Sequence, residues 1–95
     1  MAFQHTPNRY FMTDDAGKLI AEVTYPDIDD GRAFVIDHTF VDPSLRGQGI
    51  AAKLVRAVVD EARASGKTIE PLCTYARHAF DVTPEYQDVL RPTGE

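Results

Sequence analysis

Leu19, Ala21, Val23 and Tyr25 alternate with Ile20, Glu22 and Thr24, the two-residue period of a strand with one face toward a core. "RYFMT" before them is a second arm. "DDAG" between the arms supplies turn residues, with Gly17 free to take a positive φ. After "PDIDDG" the alternation resumes: Phe34, Ile36, His38 and Phe40 on one side, Val35, Asp37, Thr39 and Val41 on the other. This predicts a third antiparallel strand. From Gly49 the period lengthens, because Ala51, Leu54, Val55, Val58 and Ala62 fall on one helical stripe while Lys53, Arg56, Asp60 and Glu61 lie mostly away from it. Ser65 and Gly66 close that helix with a residue suited to a left-handed cap. "TIEPLC" reads as a short strand, and Pro71 has no N–H to give a neighbour, so pairing is expected to fail there and leave a gap. "TYARHAFDV" predicts a short helix, and Thr83 followed by Pro84 opens a last turn, "PEYQDVL". The order predicts an α+β sheet with helical cover.

Composition narrows the function classes. At 95 residues the chain holds one domain, over 1–95, so any site shares the only core. Lys+Arg 10 against Asp+Glu 15 gives a net charge of -5, which argues against nucleic acid as a partner. An anion bound here has to be gripped locally. No stretch has the apolar length of about 20 residues that a membrane helix needs, and "MAFQHTPNRY" lacks the basic start and apolar middle of a signal peptide. A cytoplasmic protein without a membrane partner is expected. One cysteine, Cys73, allows no internal disulfide, and with three scattered histidines it makes no structural zinc set.

The loop Arg46-Gly47-Gln48-Gly49-Ile50-Ala51 lies between a strand and the long helix, where up to four backbone N–H groups have no partner within the helix. Those donors and the positive end of the helix dipole suit an anion. Gly47 and Gly49 let a phosphate approach the backbone, and Arg46 adds a charge. The loop lacks the Gly-Lys-Ser/Thr ending of a Walker motif and is too compressed for the three-glycine dinucleotide fingerprint. On the glycines alone, a plain tight turn stays open beside the anion site.

"V-x-P-x-x-R-G-x-G-I-A", running into "KLVRAVVDEAR", resembles the acetyl-coenzyme A site of the GCN5-related N-acetyltransferases, with Arg46, Gly49 and Ala51 at the three defined positions of its signature. The short length, "HTFV", "PLCTYA" and "PEYQDVL" are similar to the minimal acetyltransferase-like group of that superfamily. The resemblance implies three antiparallel strands plus a splayed parallel strand, with helices packed on the sheet. It also implies acetyl-CoA or coenzyme A as cofactor, bound by residues 46–51 at its pyrophosphate. The backbone of Thr39, Phe40 and Val41 receives the pantetheine arm as a sheet edge receives a peptide. In this reading Pro71 has a purpose, since the arm fills the gap. The helices and strands that shape an acceptor pocket in larger members are missing, so the amine acceptor stays unidentified; a monomer or weak homodimer is expected.

Acetyl transfer needs a neutral amine, and a lysine-like amine with pKa about 10.4 is charged at pH 7. His38 shares its strand face with Phe34, Ile36 and Phe40; burial there would hold it neutral and able to act as a base. A core histidine satisfied by one hydrogen bond is the plain alternative. Cys73 stands where the last strand meets a helix, a position at which a thiol gains nucleophilic character. Either it accepts the acetyl group covalently or it only packs against the arm. Tyr75 and Arg77 follow on a helix that faces the cofactor in the family reading, with the Tyr75 phenol a candidate donor to the arm or mere surface. Two functions are open: a small N-acetyltransferase with Cys73 and His38 as catalytic candidates, or a CoA-binding module without turnover.

Overall fold

A computed structural model describes residues 3–92. Its strands are β1 (Gln4–Thr6), β2 (Arg9–Thr13), β3 (Leu19–Thr24), β4 (Asp27–Ile28), β5 (Ala33–Ile36), β6 (His38–Val41) and β7 (Thr68–Pro71). Helix α1 spans Ile50–Ser65 and α2 spans Thr74–Val82; 3-10 turns cover Pro43–Leu45 and Pro84–Val89. One sheet has the order β1-β2-β3-β6, the other β4-β5-β7.

The β2–β3 hairpin closes as the pattern predicts. Gly17 takes φ 83, and the Asp14 carboxylate accepts from the N–H groups of Ala16 and Lys18, each at 2.9 Å. β1 is an additional strand, exposed throughout and therefore without a burial period to read. The third predicted strand does not run unbroken: it is β5 and β6, separated at Asp37. Asp37 donates its N–H to the Thr24 carbonyl at 3.3 Å, and His38 is also opposite Thr24. Two residues against one is a β-bulge, which bends the strand and re-aims the residues beyond it. The Asp37 carboxylate accepts from the Thr24 hydroxyl at 2.6 Å, stitching the bend. On one side of it β5 pairs in parallel with β7; on the other, β6 pairs only with β3 among the described residues.

Pro71 does not break the pairing expected to fail. It stays in register with Ile36, because Thr68 and Leu72 send their N–H groups toward β5 and alternate residues face the other edge. There Ile69 accepts from Arg91 at 2.8 Å. The missing donor of Pro71 thus faces the C-terminal segment, and the splay beside β6 arises from the bulge instead.

Helix α1 lies on the sheet with Ile50, Leu54, Val55, Val58, Val59 and Ala62 buried. They meet Ala21, Val23, Tyr25, Phe34, Ile36 and Ile69 in one core. Gly66 at φ 68 ends the helix, and Lys67 donates to the Ala62 carbonyl at 2.9 Å, satisfying carbonyls that the last turn leaves open. Arg63 then clamps α1 to the last turn through the Glu85 carbonyl and Asp88 at 2.7–2.8 Å. No helix among the described residues is long and apolar enough to cross a membrane.

Candidate active site

Helix α1 begins at Gly49, in the left-handed region at φ 72, with no side-chain cap. Helices commonly start on Ser, Thr, Asp or Asn, whose oxygen satisfies an orphan N–H. Here the N–H groups of Gly47, Gln48, Gly49, Ile50, Ala51 and Ala52 meet no acceptor among the described residues. Gly47, at φ 83, and Gly49 hold conformations that other residues enter only under strain, and a Cβ on either would stand in open space. The glycines make the turn, and the turn leaves its amides uncovered. Arg46 is exposed beside them and makes no ion pair among the described residues. Asp42, the nearest carboxylate before the loop, is turned away. It accepts from the Ser44 hydroxyl and N–H, chiefly the hydroxyl, and these bonds hold its carboxyl below the usual range.

These amides open on a groove of about 390 Å³ lined by Val41, Leu45, Arg46, Gly47, Gly49, Ile50, Ala51, Ala52 and Tyr75. The sequence reading missed Leu45 and Ala52. Leu45 could have been found as the apolar residue of the turn that precedes Arg46, and Ala52 as the next small residue of the first helical turn. Gln48, expected at the site, does not line the groove.

Along the groove runs the free edge of β6. Asp42 donates to the Ile20 carbonyl at 2.8 Å, and in an antiparallel ladder alternate residues bond the partner strand. Phe40 and His38 therefore spend their backbone groups on β3, while those of Thr39 and Val41 point to the unpaired side. Of the three residues expected to receive a ligand arm, Phe40 drops out: its side chain lies on the other face of the sheet, as does that of Glu22 opposite it.

Across the splay Leu72 and Cys73 both donate their N–H groups to the Ile36 carbonyl, at 3.0 and 3.1 Å. Cys73 caps α2: its Sγ accepts from the Ala76 N–H at 3.4 Å and lies 3.5 Å from Thr39 Oγ1. The sulfur thus sits at the helix N-terminus and against the open strand edge at once. Tyr75, two residues on, reaches the groove, and burial pushes its phenol above the ordinary tyrosine value, keeping it a protonated donor at neutral pH. Arg77, expected on the same side, lies instead in a separate cleft.

His38 is where the sequence reading and the structure part. Its side chain is 52% exposed and pairs with Glu22 at 3.3 Å. The bulge at Asp37 shifts the alternation by one, so His38 leaves the face of Phe34 and Ile36 for solvent. The burial expected of it is absent, and the structure does not bring it to Cys73.

A model of the GCN5-related N-acetyl-transferase family matches residues 9–89. The chain belongs to the GCN5-related N-acetyltransferases. This family uses acetyl-CoA, and the chain is an N-acetyltransferase of that type. No curated protein matches it. Among solved structures, a GCN5-like protein from Staphylococcus aureus, classed as a candidate N-acetyltransferase, is 34% identical at a TM-score of 0.80 and covers 99% of this chain and 91% of its own. A ribosomal-protein-alanine N-acetyltransferase from Brucella melitensis matches in fold at 21% identity and TM-score 0.61, over 92% of this chain and 64% of that one. A predicted acetyltransferase with acetyl-CoA from Clostridium acetobutylicum does so at 21% and 0.54, over 92% and 59%. Against those two longer proteins the chain spans less than two thirds of their length; they share its fold.

Proposed function

We propose that this acetyltransferase takes its acetyl group from acetyl-coenzyme A bound between the α1 N-terminus and the free edge of β6, and passes it to a primary amine through Cys73. The observation that carries the reading is the uncapped helix: a row of unpaired amides opening on a groove that continues along an unpaired strand edge. Acetyl-coenzyme A, when bound, supplies the activated thioester.

The chain's own residues then divide the work. The N–H groups of residues 47–52, with the helix dipole and Arg46, suit the pyrophosphate. Thr39 and Val41 offer backbone donors and acceptors to an amide-bearing arm, as a sheet edge does to a peptide. Tyr75 closes the apolar side and has a hydroxyl to donate. Cys73 is the atom we assign to receive the acetyl group: one thioester is exchanged for another, with no oxidant or reductant consumed. The Ala76 N–H and the Thr39 hydroxyl, 3.4 and 3.5 Å from the sulfur, fix its position beside the β6 edge. The longer fold relative solved with acetyl-CoA is a further support.

The test is mass spectrometry after incubation with acetyl-CoA. An acetyl adduct on Cys73, discharged by added amine and absent from Cys73→Ala, is expected. Transfer at full rate by Cys73→Ala would remove the cysteine from the pathway, and CoA binding with no thiol release for any amine would make the chain a binding module.

A further inference from the structure

Two paired stretches of chain turn the corner from one sheet to the other at the same place. β3 ends at Thr24 and β4 begins at Asp27, opposite the point where β5 gives way to β6. Asp37 stands at that point and belongs to neither strand; the extra residue of a bulge has no regular ladder partner. Thr24 supplies two bonds instead. Its carbonyl accepts the Asp37 N–H at 3.3 Å, and its hydroxyl donates to the Asp37 carboxylate at 2.6 Å. The backbone bond is long and the side-chain bond short, so the side chains set where the extra residue sits.

Cys73 is tied to this chain on both sides of the bulge. Its N–H donates at 3.1 Å to the carbonyl of Ile36, the residue before Asp37, and its sulfur lies 3.5 Å from the hydroxyl of Thr39, two residues after it. Ile36 is fully buried and in register with Pro71, so the first tie is anchored in the core. The second depends on where the chain places its extra residue between 36 and 39. A shift of one position would turn the Thr39 side chain to the other face, away from the sulfur.

We propose that Thr24 and Asp37 are positioning residues for the Cys73 site: their side-chain bond holds the bulge in the register that brings the Thr39 hydroxyl and the open β6 edge to the sulfur. The consequence for turnover rests on the acetyl-transfer reading above; the consequence for Cys73 does not. The bond is solvent-exposed and contributes little to global stability. Its effect is local, on the two ties that Cys73 makes across the bulge.

Thr24→Val and Asp37→Ala remove the bond; Thr24→Ser and Asp37→Asn keep a hydroxyl donor and an oxygen acceptor. In the protein without ligand, amide hydrogen exchange at Cys73 should quicken about fivefold in the first pair, against less than about twofold at Val58 and Val59 in α1. In the second pair it should stay near the parent rate. The combined Thr24→Val/Asp37→Ala variant should go no further than either alone, because both remove one interaction. With acetyl-CoA, kcat by thiol release should fall about three- to tenfold in the first pair, while coenzyme A affinity by calorimetry changes less than about threefold, since residues 46–51 are untouched. Exchange at Cys73 that is unchanged in both disruptive variants, that quickens equally in α1, or that quickens as much in Thr24→Ser and Asp37→Asn overturns the proposal. Faster exchange with turnover at the parent level removes the pair from the reaction. Faster exchange in a protein whose parent neither binds coenzyme A nor turns over strikes the acetyl-transfer reading alone and keeps the positioning of Cys73.

Discussion

Replacing Gly49 by Asp separates the stability of the loop from its capacity for anions. Gly49 sits at φ 72 and ψ 20, and an added Cβ would meet nothing within 4 Å, so the substitution carries a backbone cost without a clash. That cost is about 1 kcal/mol for an L-residue and less for Asp or Asn, which tolerate the left-handed region. A carboxylate at the start of a 16-residue helix returns about 0.3–1 kcal/mol through the dipole. The two nearly cancel, and the melting temperature should move by no more than about 4 °C. Binding does not cancel. A unit charge about 6 Å from a phosphate oxygen, at an effective dielectric constant of about 20, costs roughly 3 kcal/mol. Screening at an open groove reduces this to about 1.5 kcal/mol, a tenfold loss of affinity. Gly49→Asn has nearly the same shape and no charge, so it is the control. Titration calorimetry with coenzyme A, alongside melts of both variants, reads the two effects independently. Equal affinity in folded Asp and Asn variants would refute the claim that the helix start holds the diphosphate.

The Tyr25 hydroxyl, fully buried, donates to Glu61 at 2.7 Å, and Tyr10 donates to the same oxygen at 2.9 Å. Burial first, and the Glu61 carboxylate second, raise both phenols above their ordinary value of 10.0. A raised folded-state value contributes stability that is fully present below the unfolded value and is lost as pH rises, so unfolding free energy should hold to about pH 9 and decline beyond 10. Tyr25→Phe should flatten that alkaline decline and cost about 1–2 kcal/mol at pH 7, seen by urea titration at several pH values; an unchanged alkaline limb counts against the assignment. Leu54, with no exposed surface, is the central contact of α1, and Leu54→Ala should cost about 2–5 kcal/mol. A chemical melt shifted by under about 1 kcal/mol would mean the α1 core is more yielding than it looks.

Much of this architecture was legible along the chain. The β2–β3 hairpin follows from alternation broken by residues 14–17, and α1 from a stripe that changes period at Gly49. The span Thr74–Val82 and the turn Pro84–Val89 were readable from their breakers and caps. The loop at residues 46–51 and the cysteine at the head of α2 were visible because glycines and helix starts are local features, set by φ and by orphan amides within a few residues.

What the chain alone could not reveal depends on partners distant in sequence. The bulge exists because Asp37 and His38 both stand opposite Thr24, and only that pairing sends His38 into solvent against Glu22 and frees Thr39 and Val41 on an open edge. Pro71 carries no mark of which edge its missing N–H faces; the parallel register with Ile36 decides it. The approach of Cys73 to Thr39, and the split of α2 between Tyr75 in one cleft and Arg77 in another, stem likewise from how β7 and α2 dock. Local dihedral preference writes turns and helices into sequence, whereas strand register is a choice among long-range pairings, made by the packing of the whole core.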